Sequence, residues 1–160
     1  MCGIAGIVNI HPKTRHASAI RLMTNRIAHR GPDAEGVYVD DQVALGHPRL
    51  SIIDLSAETN QPISDYSGRY ALVFNGEIYN YKEVRALLKD YPFRTHSDSE
   101  VVIAAYATWG PKGLEHLNGM FGFAIWDQKE AVLFAARDRV GKKPFFYHVS
   151  ASQLLFCSEV

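Results

Sequence analysis

The sequence predicts an α+β domain, and three observations carry that expectation. Strand-like runs outnumber helical ones, the helical segments fall in clusters, and nothing follows the regular strand–helix–strand alternation of a parallel sheet. With 160 residues, 47% hydrophobic and 21% charged, the chain suits one compact domain with a sizeable core. Its 17 basic and 17 acidic side chains cancel, which argues against a basic nucleic-acid-binding stripe and against a polybasic membrane anchor.

Taken in order, Cys2 to Ile10 is small and apolar and reads as a buried strand, not as the basic start of a secretory leader. Ile20, Met23 and Ile27 recur at helical spacing between Ala17 and Arg30, and Pro32 disfavours helical geometry at Gly31. Strands follow at Val37–Val39, Val43–Leu45 and Leu50–Ile53, then a polar loop over 55–69. Tyr70–Phe74 is a strong strand ending at Asn75-Gly76, which reads as a tight turn. Helices are predicted from Tyr81 to about Lys89, capped by Asn80, and from Ser97 to about Trp109, where Ser97 and Glu100 have capping-box spacing. A short helix follows Pro111, and the remainder is strand at Met120–Trp126, Val132–Ala136, Phe145–Val149 and Leu154–Cys157.

Two cysteines make no disulfide framework, so a reduced, cytoplasmic protein is expected. The longest apolar stretch, Gly119 to Trp126, is far shorter than the roughly 20 residues of a spanning helix. None of the seven histidines forms an i, i+4 pair and Cys2 and Cys157 form no C-x-x-C, so no metal site is expected. No glycine-rich phosphate loop is present.

Four features could carry chemistry. Loss of Met1 would leave Cys2 with a thiol and a free α-amine on one carbon, a nucleophile beside its own base, since an α-amine titrates near 7.7–8.0. Position alone favours a blander reading, a small buried residue at the start of an edge strand. Asn75 and the Gly76 N–H could aim two donors at one oxygen, although plain turn chemistry is the stronger reading of that dipeptide in isolation. Arg49 offers a planar fork for a carboxylate, against the alternative of a surface ion pair. Asp98 could bind an ammonium group, though acids favour helix starts through the helix dipole anyway.

Six motifs occur in order: Met1–Gly6 (MCGIAG), His29–Asp33 (HRGPD), Arg49–Asp54 (RLSIID), Asn75–Asn80 (NGEIYN), Ser97–Glu100 (SDSE) and Arg137–Pro144 (RDRVGKKP). Together they resemble the glutaminase domain of glutamine-hydrolysing asparagine synthetases, a class II glutamine amidotransferase domain, across essentially all of residues 1–160. The resemblance implies a four-layer αββα sandwich of the N-terminal nucleophile (Ntn) hydrolases. It also implies hydrolysis of glutamine to glutamate and ammonia, with Cys2 as nucleophile and Asn75 and Gly76 as the oxyanion hole. Arg49 would hold the substrate carboxylate, Asp98 with Glu77 its ammonium end, and Leu50, Ser51, Ile52 and Ile53 would border the pocket.

In such families a C-terminal, ATP-dependent synthetase domain receives the ammonia and amidates aspartate. Its pyrophosphate-binding S-G-G-x-D-S loop is absent here, so ATP and Mg would belong to that missing domain and no cofactor is expected in this one. Glutamine and that domain are the expected partners, with no nucleic acid or membrane, and a homodimer is compatible with the sequence. An attached Met1 would acylate the amine and leave an inactive precursor. Other class II domains carry a T-R-W-A-T-H-G pattern around the arginine, whereas this chain has His47-Pro48-Arg49-Leu50-Ser51. A relative with another acceptor, or a non-catalytic glutamine-binding module, stays open at this point.

Overall fold

In a computed structural model, which describes residues 2–9, 16–50 and 59–160, two antiparallel sheets lie face to face with helices on both outer sides. The chain runs β1 (Ala5–Asn9), α1 (Ala17–Arg26), β2 (Ala34–Val39), β3 (Val43–Arg49), β4 (Ile63–Ser64), β5 (Tyr70–Ile78), α2 (Tyr81–Leu87) and α3 (Asp98–Trp109). It continues through β6 (Gly119–Asp127), β7 (Val132–Arg137), β8 (Phe146–Val149) and β9 (Gln153–Cys157), with 3-10 turns at Ala28–Arg30 and Gly110–His116.

One sheet has the order β2-β3-β1-β9-β8 and the other β4-β5-β6-β7. Side chains alternate between the faces of a strand, so each sheet carries two apolar sets. Ile4, Val43, Leu45, Ala71, Val73, Ala124, Trp126 and Phe156 fill the space between the sheets. Ala5, Ile7 and Ala44 turn outward to meet Ile20 of α1 and Ile27, while Leu72, Phe74, Ile78, Phe123 and Ile125 turn outward to meet α2 and α3. The layers are therefore α, β, β, α. Eight of the twelve residues of α3 are buried, Asp98 through Ala105, which explains why it reads as apolar almost all round.

Several expectations need correction. Asn75-Gly76 is not a turn: β5 runs through it to Ile78, with Asn75 opposite Gly122 and Gly76 opposite Phe121. Glycine is required there by close approach, since a Cβ on Gly76 would lie 2.4 Å from the Met120 carbonyl oxygen and 2.8 Å from the Phe121 Cα. Nor does Cys2 precede an edge strand, because β1 lies between β3 and β9. The first helix ends at Arg26, with a 3-10 turn carrying the chain to Arg30. A short strand, Ile63–Ser64, interrupts the loop expected over 55–69.

Asn80 makes no cap bond to α2. Its side chain instead donates to the His116 carbonyl at 2.9 Å and accepts from the Asn118 N–H at 2.9 Å. Ser97 does cap α3, accepting the Glu100 N–H at 3.2 Å. Glu100 does not complete the reciprocal box; its carboxylate accepts the N–H groups of Arg94 and Thr95 at 2.8 and 2.6 Å. The expected strand at 50–53 begins outside the regular structure, since β3 ends at Arg49 and residues 51–53 lie outside the described residues.

Candidate active site

A cleft is lined by Cys2, Arg49, Leu50, Thr59, Gln61, Phe74, Gly76, Glu77, Ser97, Asp98 and Ser99. It gathers contributions from the start of the chain, the end of β3, the middle of β5 and the N-terminus of α3. A larger groove between β7 and the β8–β9 pair is lined by Val8, Leu133, Phe145, Tyr147 and Leu154, with Arg137 as its one charged side chain. It lacks the convergent polar groups that orient a polar substrate, so the first cleft is the candidate site.

Cys2 sits half-buried just before β1. Its sulfur contacts both backbone groups of Leu50, 3.3 Å from the amide nitrogen and 3.4 Å from the carbonyl oxygen. The thiol can donate to the carbonyl, and a thiolate can accept from the N–H, so both protonation states have a partner in place. The backbone is fixed on either side: Gly3 donates to the Pro48 carbonyl at 3.0 Å, and the Cys2 carbonyl accepts from Arg30 Nε at 3.1 Å.

Arg49 closes β3 and is 7% exposed. Its Nη1 donates to the Asn60 side-chain oxygen and its Nη2 to the Thr59 hydroxyl. Two side-chain acceptors, one on each terminal nitrogen, hold the guanidinium plane in one orientation, and a fixed plane is the condition for bidentate recognition of a carboxylate. Gln61 stabilises the neighbouring strand by imitating a backbone partner, accepting the Phe74 N–H at 2.6 Å and donating to the Phe74 carbonyl at 3.2 Å. His47, fully buried, also donates Nε2–H to that carbonyl, and burial pushes its pKa down to about 4, so it is neutral at ordinary pH.

Asn75 follows directly on that braced residue and is 1% exposed. It shares with Ala71 and Val73 the face of β5 that looks toward the other sheet, by the alternation of a strand. Its Nδ2 is buried and has no hydrogen-bond partner among the described residues. A buried donor left unpaired costs about 1–3 kcal/mol, so such a group invites a functional explanation. Asn75 does not itself line the cleft, whereas Gly76 and Glu77 do.

Asp98 is the first residue of α3 and is 6% exposed. One carboxylate oxygen accepts the Ile78 N–H at 3.0 Å, tying the helix start to the end of β5. Burial pushes its pKa up to about 6, reinforced by the nearby Glu77 carboxylate and opposed by the N–H groups of Ile78 and Ser99. A cationic group placed in the cleft near α3 would relieve that penalty.

The structure thus brings together Cys2, Arg49, Leu50, Gly76, Glu77 and Asp98, while Ser51, Ile52 and Ile53 lie outside the described residues. Sequence reasoning did not single out Thr59, Asn60 and Gln61, nor the role of Arg30. Their types are ordinary for a loop, and only their folded positions give them meaning. Lys143, in the last of the six motifs, is 6% exposed; burial holds its ammonium below the ordinary range, Arg30 adds to this, and Cys2, Glu77 and Asp138 oppose it. Its segment is knotted to β6 by Asp138, whose carboxylate accepts the N–H groups of Phe121, Lys142 and Lys143 at 3.2, 2.9 and 3.0 Å. Among the described residues, no group of three or more His, Cys, Asp or Glu side chains could hold a metal ion, and no helix is long and apolar enough to cross a membrane.

The chain resembles known proteins over its whole length. The chain is 43% identical to asparagine synthetase [glutamine-hydrolyzing] 1 of Bacillus subtilis over 99% of its length, which covers 26% of that relative. It is 41% identical to the amidase chry2 of Gibberella zeae over 100% of its length, again covering 26% of the relative. The chain therefore spans about a quarter of the length of the curated relatives it matches. Its fold matches the glutamine phosphoribosylpyrophosphate amidotransferase of B. subtilis with a TM-score of 0.77 at 22% identity, covering 98% of this chain and 42% of that one. The αββα layering expected from the sequence is present, and that neighbour shares the fold. A family model described as a glutamine amidotransferase domain matches residues 1–160, and with the cleft's composition it settles the family: this chain belongs to the glutamine amidotransferase domains.

Proposed function

We propose that this domain hydrolyses glutamine, with Cys2 as nucleophile, and delivers the ammonia to an ATP-dependent synthetase domain that amidates aspartate. The observation that carries the reading is the convergence of Cys2, Arg49 and Asp98 on one cleft, a nucleophile between an anion-binding and a cation-binding group. A free amino acid presents both charges on one carbon. Arg49 and Asp98 would fix its carboxylate and ammonium, leaving the side-chain amide to reach Cys2.

Removal of Met1 would free the Cys2 α-amine, which takes the thiol proton as sulfur bonds to the amide carbon. The carbonyl π electrons move to oxygen, where the Asn75 Nδ2 and the Gly76 N–H stabilise the negative charge. Collapse of the intermediate breaks the C–N bond, and the protonated amine returns its proton to the departing nitrogen, releasing ammonia. Water then attacks the thioester, with the same amine as base, giving glutamate and the free thiol. Leu50 N–H supports the thiolate in both halves of the cycle.

The relatives support an acceptor that is aspartate, through the name asparagine synthetase, yet a relative called an amidase is nearly as similar. A second reading therefore keeps the glutaminase chemistry and changes the acceptor. Intact mass paired with an ammonia-release assay tests the common core. Loss of the Met1 mass with glutamine-dependent ammonia release is expected, and Cys2→Ala should abolish release while still binding glutamine. Ammonia release by Cys2→Ala, or full activity with Met1 retained, would overturn the mechanism. Supplying ATP and either aspartate or another acid to the protein joined to its synthetase half would separate the two acceptors.

A further inference from the structure

The last residues of the chain return to the nucleophile. Just after β9, Ser158 donates its N–H to the Ile4 carbonyl at 2.9 Å, and its hydroxyl accepts the Ile4 N–H at 2.9 Å. That reciprocal pair sets the next side chain, Glu159, beside the 3-10 turn at Ala28–Arg30. Glu159 Oε1 accepts from Arg30 Nη1 at 2.7 Å and lies 3.0 Å from His29 Nε2. Arg30, with its side chain 11% exposed, then spans from Glu159 to the Cys2 carbonyl oxygen, to which its Nε donates at 3.1 Å. Arg30, and after it His29, hold the Glu159 carboxyl below its ordinary range, so it is ionised at neutral pH.

We propose that Glu159 is a positioning residue for Cys2, acting through Arg30; this rests on the reading of Cys2 as the nucleophile. A guanidinium donates in a fixed plane, so anchoring Nη1 on Glu159 fixes the direction of the Nε–H bond to Cys2. That bond orients the Cys2–Gly3 peptide plane, and with it the Cα carrying both the sulfur and the α-amine. The third nitrogen, Nη2, is buried without a hydrogen-bond partner among the described residues, so the orientation of Arg30 depends on its bonds to Glu159 and the Cys2 carbonyl. Without Glu159, the guanidinium gains by swinging toward water, and the Cys2 carbonyl loses its donor. The sulfur then drifts from the Leu50 N–H, 3.3 Å away, that supports its thiolate. Ser158 and Ile4 retain their mutual bonds, so the strand itself stays in place.

The test compares the wild-type chain with Glu159→Ala and Glu159→Gln, reading Cys2 alkylation by iodoacetamide at neutral pH, with mass-resolved Cys157 as internal reference. Ammonia release from glutamine and the melting temperature are measured alongside. Glu159→Ala should slow Cys2 alkylation at least about fivefold and lower kcat about tenfold, while KM for glutamine and Cys157 alkylation stay within about twofold. Glu159→Gln, which keeps a neutral acceptor for Arg30, should recover part of both losses. Cys2 alkylation in Glu159→Ala that is unchanged or faster would overturn the proposal, as would a rise in KM with kcat intact. Should the wild-type chain release no ammonia, the glutaminase reading fails, and the alkylation arm still decides the positioning role.

Discussion

Protonation of Asp98 should govern how tightly the cleft holds glutamine. Its pKa stands at about 6 in the free protein because burial penalises the charged form, and only that form attracts the substrate ammonium. Between about pH 5 and pH 8 glutamine keeps both its own α-charges in the main, so the site dominates the change. With one titrating group, the apparent Kd scales as one plus the ratio of protonated to ionised carboxylate. At about pH 5 that factor is about 11 and at about pH 8 it is about 1, a difference of about 1.4 kcal/mol. Calorimetric titration of glutamine into the Cys2→Ala protein, which cannot turn it over, reads this directly. Asp98→Asn should bind at least about 30-fold more weakly at about pH 8, as expected for loss of one member of a buried charge pair, and its Kd should be flat with pH. A Kd for the parent that does not rise on acidification, or an equal rise in Asp98→Asn, would refute the assignment.

The same carboxylate carries a stability consequence with a definite sign. Its folded pKa of about 6 exceeds the ordinary 3.8, so the stability it contributes is present below 3.8 and lost as pH rises through 6. Asp98→Asn should therefore be more stable than the parent above about pH 6, by up to about 3 kcal/mol, and should lose that advantage near about pH 4. Such an exchange of stability for a binding group is common at functional sites.

Asn75→Ala should lower kcat about 100-fold or more with little change in denaturation midpoint, because Nδ2 has no partner among the described residues; retained activity would remove it from the oxyanion hole. Arg49→Lys keeps the charge but cannot span Thr59 and Asn60 while forking onto a carboxylate, so KM for glutamine should rise at least about tenfold with kcat little changed. Gly76→Ala should cost at least about 1–3 kcal/mol in urea denaturation, since the neighbour it meets at 2.4 Å is backbone and cannot turn aside. His47 should stay neutral in proton NMR down to about pH 5, its burial having lowered its pKa to about 4. The linked stability is present above about 6.5 and lost as pH falls toward 4, by about 3 kcal/mol in all.

Local chemistry made much of the fold legible. Alternating and continuous apolar runs marked β1, β6, β7 and β9, and the Ser97 cap marked the start of α3, because those signals depend on residues close in sequence. The candidate nucleophile, the arginine fork and the helix-start carboxylate are legible from residue type and motif order, and the fold brings Cys2, Arg49 and Asp98 to one cleft. Asn75-Gly76 defeated local reasoning for a physical reason. The dipeptide is the same whether glycine serves a turn or makes room for a neighbouring backbone, and only the pairing of β5 with β6 distinguishes the two. The bracing of Arg49 by Thr59 and Asn60, of Phe74 by Gln61, and of Cys2 by Arg30 and Glu159 was likewise invisible in the sequence. Cys2 and Glu159 stand at opposite ends of the chain, and no local pattern encodes their meeting. The sequence by itself determined which elements form and which reactive groups exist; the tertiary structure decided which of those groups meet and which ordinary side chains hold them, because distances across sheets depend on register and packing.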